Sequence, residues 1–449
     1  MTTSHRFGMV HVDHTFTVPL DHQRPASRQI QVYAREIHAA GQAGRDLPWL
    51  LFLGGGPGSA GPRPLGGEGW LNYALRNFRV LMLDQRGTGR STPVDRRLLA
   101  QIRDPGAQAE YLSHFRADAI VRDAEMIRRT LIGDRPWSVL GQSFGGLCTI
   151  TYLSLAPHGL AEAFITGGLP GVRATADDVY RALYPRVTIK NTDHYDRFPS
   201  DVDQARAIAR YLRDHRVILP SGRPLTVETF QALGNILGGT DGSLRLHYLL
   251  EDPFTGGTEP SDAFLFQVDR ELADVAGGPL YYLLHEATYA QGTQATLWSA
   301  QRIRGEFPAF DAVAALDSGA PILFTGEMIY PWMFDTDPVL HPFRQAAHLI
   351  AERPAWPALY DIDRLRDNTV PVVAAIYHDD MYLDRDLSLG TAQIIPGLKP
   401  WLTDEYQHDG LRTSNGAVLE HLLVLMDEHP WGSSHSHPPR PLRSTERPT

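Results

Sequence analysis

The segment GQSFG (141–145) sets a serine between two glycines, directly after the apolar run WSVL and before the helical run LCTITYLSL. A serine hydroxyl is a weak nucleophile until a base takes its proton. The spacing G-x-S-x-G supplies a tight strand-to-helix turn that exposes the hydroxyl, because side chains larger than glycine would clash across it. Ser143 is therefore the candidate nucleophile of an acyl transfer.

Its partners should follow along the chain as an acid and then a histidine. Asp379 and Asp380 close the apolar run VPVVAAIYHDD (370–380), and His408 follows the next run, in DEYQHDG. The 28 residues from Asp380 to His408 are enough for a helix and a strand that return both groups to one sheet edge. His378 precedes the acid and breaks the order; spacing alone does not separate Asp379 from Asp380. Stabilising an oxyanion takes preorganised N–H donors, and GGGPGSAG (54–61) after PWLLFL offers them, with the Phe144 amide as a second donor.

Two further stretches carry chemical interest. GPGSAG (56–61) formally matches the dinucleotide fingerprint, with Asp84 as a ribose acid, but PRPLGGEGW follows where that fold needs a helix. In YYLLHEATYA (281–290), Glu286 stands among apolar and aromatic neighbours. A carboxylate in such company faces solvent, is satisfied locally, or awaits a cation. The lone cysteine, Cys148, lies five residues after Ser143 in the helical run and reads as a small buried residue. No phosphate loop, H-E-x-x-H or C-x-x-C occurs, and neither a metal nor a cofactor is expected.

These residues need a scaffold that delivers them to one edge. Short apolar runs ending in glycine or charge recur at 48–56, 78–87, 137–143 and 162–168, with helical periodicity between them, as in DAIVRDAEMIRRTLIG. Strand–helix alternation of this kind predicts a mostly parallel α/β sheet flanked by helices. HTFTVPL and RQIQVYARE predict an antiparallel pair before it. From 171 to 365 the texture turns helical, which predicts an insertion, although PILFTGEM (321–328) also reads as a strand. Residues 1–170 and 366–430 then form the two parts of the catalytic body, and 431–449, with His435 and His437, reads as a disordered tail.

Bulk properties bound the function. The chain has 449 residues, 43% of them hydrophobic and 21% charged, and no run of about 18 apolar residues. A net charge of −10 with scattered Lys and Arg argues against nucleic acid as a partner. One cysteine excludes an intramolecular disulfide, and MTTSHRFGMV lacks the features of a signal peptide, so a cytoplasmic location is expected.

Taken in order, GGGPGS, LDQRGTGRS and GQSFGG, with LLHEATYAQG, ILFTGEMIYPWMF, VAAIYHDDMYLD and DEYQHDGLR, resemble the larger bacterial branch of the proline iminopeptidases, serine peptidases of the α/β-hydrolase fold. The resemblance covers most of residues 45–415. It implies removal of an N-terminal proline from peptides, with an inserted, mainly helical cap over the catalytic edge. By motif it makes Ser143 the nucleophile, Asp380 the orienting acid and His408 the base, with Gly55, Gly56 and Phe144 at the oxyanion. Where the family has HGGPG this chain has GGGPG, with Gly54 in place of histidine. The family's amine-binding cap glutamates fall on Glu286 and, second, on Glu327. An esterase or other small-amide hydrolase with the same triad is the alternative, since a fold does not fix a substrate; a non-catalytic binding protein would be expected to have lost one of the three residues.

Overall fold

The computed structural model describes residues 2–42, 44–66, 69–254, 256–274 and 278–431. Eleven strands are present among them: β1 (Thr2–Arg6), β2 (Met9–Pro19), β3 (Gln29–Ala39), β4 (Trp49–Leu53), β5 (Arg79–Asp84), β6 (Trp137–Gln142), β7 (Leu160–Thr166), β8 (Val217–Ile218), β9 (Pro224–Leu225), β10 (Val372–Tyr377) and β11 (Leu398–Thr403). Nine form one sheet in the order β1-β2-β3-β5-β4-β6-β7-β10-β11. The pairs β1·β2, β2·β3 and β3·β5 are antiparallel, and every later pair is parallel. This is the expected α/β sheet, preceded by the expected antiparallel strands.

The parallel strands read as apolar runs because both faces are covered. Alternation divides them: Leu51 and Leu53 of β4, with Val372, Ala374 and Ile376 of β10, join one core with the helices Ala117–Ile132 and Phe144–Leu155. Leu50, Phe52, Val373, Ala375 and Tyr377 join a second core with the helices Gly69–Ala74 and Ala417–Asp427. The period of two along each strand thus builds both layers at once.

Between β7 and β10 the chain is mostly helical and carries a core of its own. Helices Ala176–Arg197, Ser200–Asp214, Gly242–Leu250 and Asp262–Asp274 contribute Tyr180, Ile208, Leu246 and Val268 to it. The first of these starts on a capping box in which Thr175 and Asp178 satisfy each other's backbone N–H. Later segments turn back to the body: Leu280, Leu283, Phe334, Phe343 and Trp356 belong to the core beneath the sheet's other helices.

The strand reading of 321–328 is not met; no strand forms there. Side-chain amides occupy the backbone groups that a ladder would use. Asn191 accepts the Phe324 N–H at 2.8 Å and donates to the Phe324 carbonyl at 2.9 Å, while Gln231 donates to the Leu323 carbonyl at 2.8 Å. The tail reading, including His435 and His437, lies outside the described residues apart from Trp431. Among the described residues, no helix is long and apolar enough to cross a membrane.

Candidate active site

Strand β6 ends at Gln142, and the helix Phe144–Leu155 begins two residues later, which leaves Ser143 alone in the turn at φ 56° and ψ −125°. Left-handed φ at a non-glycine residue is a strained state that the surroundings must hold. Here the glycines hold it. A Cβ on Gly145 would fall onto the Leu53 carbonyl of β4, and one on Gly146 onto Gly168 after β7, so the turn packs backbone against backbone.

The other two groups arrive from β10 and β11, the two strands beyond β7 in the sheet. Asp380 follows β10 and His408 follows β11, both at carboxyl ends, where open parallel sheets receive ligands. Asp380 Oδ2 and His408 Nδ1 lie 2.7 Å apart, and His408 Nε2 and Ser143 Oγ 2.9 Å apart. A carboxylate only accepts, so Nδ1 carries the hydrogen and Nε2 is left to accept from the serine hydroxyl. Asp380 Oδ1 meanwhile accepts the N–H groups of Tyr382 (2.8 Å) and Leu383 (3.1 Å), which fixes the carboxylate. Asp379, which spacing left open, pairs instead with His378 at 2.6 Å on the surface. Burial alone would lower the pKa of His408, but the Asp380 carboxylate, with Glu327 and Asp409 beyond it, leaves it raised above 6.5.

Gly55 lies against the serine: a Cβ built on it would stand 3.1 Å from Ser143 Cβ. Gln85 donates to the Gly54 carbonyl at 3.1 Å, and in a planar trans peptide this turns the Gly55 N–H the opposite way. Gly56, at φ +131°, lines the same cavity, and Phe144 is the first residue of the helix after Ser143. Asp84, the ribose acid of the dinucleotide reading, is fully buried and bonded to Arg63 and to the N–H groups of Gly61 (3.0 Å) and Arg90 (2.8 Å). Among the described residues no helix lies between Gly61 and Gly69, where the fingerprint needs one for its phosphate site.

A cavity of about 430 Å³ opens over Ser143 and His408, walled by Gly55, Gly56, Tyr281, Glu327 and Tyr382 among others. Tyr281 donates its hydroxyl to Glu327 Oε1 at 2.8 Å, and His285 Nε2 stands 3.9 Å from Oε2. Burial, with the Glu327 charge added, pushes the Tyr281 hydroxyl pKa far up, so it stays a donor. Tyr382 sets its ring edge-on to His408 at 4.6 Å.

Glu286, the first acid to which the resemblance assigns the substrate amine, is held by backbone N–H groups. It is not among the residues lining this cavity. Its carboxylate accepts the N–H groups of Ser299 (3.1 Å) and Ala300 (2.9 Å), capping the helix Ser299–Arg304, and the residue is buried. Burial raises its pKa to about 7, against the pull of those N–H groups. Of the three fates open to an acid in that stretch, local satisfaction is the one realised.

Sequence reasoning passed over Tyr281, Tyr382, Arg245 and Glu271, which also line the cavity. Tyr281 stood in the quoted stretch, but an aromatic there carried no signal beyond packing. Cys148 is fully buried beneath the turn, where burial pushes its thiol pKa up, as the bland reading expected.

Residues 48–219 match the family model of the alpha/beta hydrolase fold. Proline iminopeptidase from Aeromonas sobria is 48% identical over 413 residues, covering 92% of this chain and 95% of its own. Proline iminopeptidase aneH from Aspergillus aculeatus is 36% identical over 426 residues, covering 92% and 93%.

Proposed function

The chain belongs to the proline iminopeptidase family, and on that premise we propose that it is a serine exopeptidase releasing an N-terminal proline through an acyl-enzyme. The observation that carries this reading is the unbroken series of hydrogen bonds from Asp380 through His408 to Ser143, opening on a cavity that Glu327 also lines.

Ser143 Oγ attacks the prolyl carbonyl carbon while His408 Nε2 takes its proton, and Asp380 stabilises the imidazolium that forms. Charge developing on the carbonyl oxygen is met by the N–H groups of Phe144 and of Gly55 or Gly56. The C–N bond then breaks as His408 returns the proton to the departing amine. Water, deprotonated by the same imidazole, hydrolyses the prolyl ester and frees proline.

Glu327 binds the prolyl ammonium and so limits the distance from chain end to scissile bond to one residue. Tyr281 holds the glutamate in place. Glu286, already engaged by backbone, acts on this site at one remove: it ties the turn Glu286–Thr288 to the helix Ser299–Arg304 and so supports the cap, taken as residues 171–365.

The test compares prolyl, alanyl and N-acetylprolyl chromogenic amides and a simple ester, for the wild type and Ser143→Ala. Turnover of the prolyl amide alone, lost in the variant, supports the proposal. Equal turnover of N-acetylproline overturns the amine anchor and leaves a general amide hydrolase or esterase; activity surviving in Ser143→Ala overturns the nucleophile.

A further inference from the structure

Nucleophile, base and amine anchor account for the proline half of a substrate. The same cavity is lined by further charged groups from the segment between β7 and β10. Arg245, from the helix Gly242–Leu250, and Glu271, from the helix Asp262–Asp274, line it with Ser143, His408 and Glu327. Among the described residues, Arg245 is the one lysine or arginine on that lining.

Its charge is not cancelled by Glu271. One Glu271 oxygen accepts from Arg245 Nη2 and the other from Arg270 Nη2 at 3.4 Å, so two guanidiniums share one carboxylate and the group carries a net positive charge. The carboxylate lies underneath, with its side chain 9% exposed, while that of Arg245 is 41% exposed. Among the described residues, Arg245 spends only one nitrogen on Glu271. A guanidinium has five N–H donors in a planar fork that fits a carboxylate with two parallel hydrogen bonds.

We propose that Arg245 receives the C-terminal carboxylate of the peptide, so that prolyl dipeptides are the preferred substrates. The inference rests on the prolyl aminopeptidase reading above and adds the far end of the substrate to it. In a dipeptide the carboxylate belongs to the residue after the scissile bond, whose Cα lies about 3.8 Å from that of proline. Both charged ends then fit one cavity of about 430 Å³. Each added residue carries the carboxylate about 3.3–3.6 Å further in an extended chain, away from the guanidinium. A cavity lined by both an acid and a cation matches a zwitterion rather than a capped chain.

The experiment measures kcat/KM of the full-length enzyme on Pro-Ala, Pro-Ala-amide and Pro-Ala-Ala, for the wild type, Arg245→Met and Arg245→Lys. Wild type is expected to favour Pro-Ala over its amide and over the tripeptide by about tenfold or more, chiefly through KM. The ratio should fall toward one in Arg245→Met, remain intermediate in Arg245→Lys, and shrink for the wild type in 0.5 M salt, where a half-exposed ion pair is screened. A wild type that does not distinguish acid from amide, or a preference that survives in Arg245→Met, overturns the carboxylate site and leaves the peptidase reading standing. No turnover of any prolyl compound, with an ester still cleaved, overturns both.

Discussion

Glu286 accepts the Ala300 N–H at 2.9 Å. A buried acid at the start of a helix is thereby bound to backbone, and its proton becomes a matter of stability. Its pKa is raised to about 7 from 4.5. A raised acid contributes stability fully below its unfolded value and loses it as pH climbs through the folded one; the loss here amounts to about 3 kcal/mol. Between pH 5 and 8.5, denaturant unfolding of the wild type should therefore weaken relative to Glu286→Gln, which does not titrate. Parallel stability curves for the two proteins would rule out the titration.

Glu327 is expected to behave differently, as a carboxyl group on the cavity wall beside Ser143 and His408. Glu327→Gln should lower kcat/KM on a prolyl amide by about 2–5 kcal/mol, the loss for truncating one side of a buried charge pair. Turnover of a simple ester, which brings no ammonium, should stay within a few-fold. An equal fall on both substrates would point to a damaged cavity rather than a lost anchor.

In the proposed mechanism His408 acts as the neutral base, and its raised pKa would place the acid limb of kcat/KM above pH 6.5. The optimum should be neutral to mildly alkaline. Asp380→Asn removes the charge that raises the imidazole, so the limb should move to lower pH while kcat drops by about 10⁴. An acid limb unmoved in that variant would mean another group sets it.

The loop that carries His408 is held on both sides by residues from the helical segment between β7 and β10. Lys190 donates to Gln407 at 2.5 Å, and Thr240 donates its hydroxyl to Asp409 at 2.6 Å. Lys190→Met should lower kcat about tenfold with KM within about twofold, because a base displaced by a fraction of an ångström misses the serine. A change in KM alone would show that this contact serves binding.

Gly145 packs where a Cβ would strike the Leu53 carbonyl. Gly145→Ala should cost about 2–4 kcal/mol of stability, as overpacking against backbone does. Chemical denaturation measures it directly; a neutral substitution would mean that β4 and the turn separate readily.

The candidate centre was legible in the sequence because local rules write it. The turn at Ser143 demands glycines at fixed positions, and the apolar runs of β4, β6 and β10 end shortly before Gly55, Ser143 and Asp380. Chain order then joined His408 to an acid, but two adjacent aspartates differ by the face on which each side chain leaves the turn, and only the folded loop put Asp380 rather than Asp379 on the imidazole. Spacing was still weaker between β7 and β10. Short helices and side-chain-bonded segments have no period to read, so 321–328 resembled a strand until Asn191 and Gln231 took its backbone bonds. For the same reason the sequence identified Glu286 as an unusual acid without saying what satisfied it. That depended on a helix start 13 residues away, and the cavity wall went instead to Glu327 and Arg245, whose meeting with Ser143 is a property of packed tertiary structure.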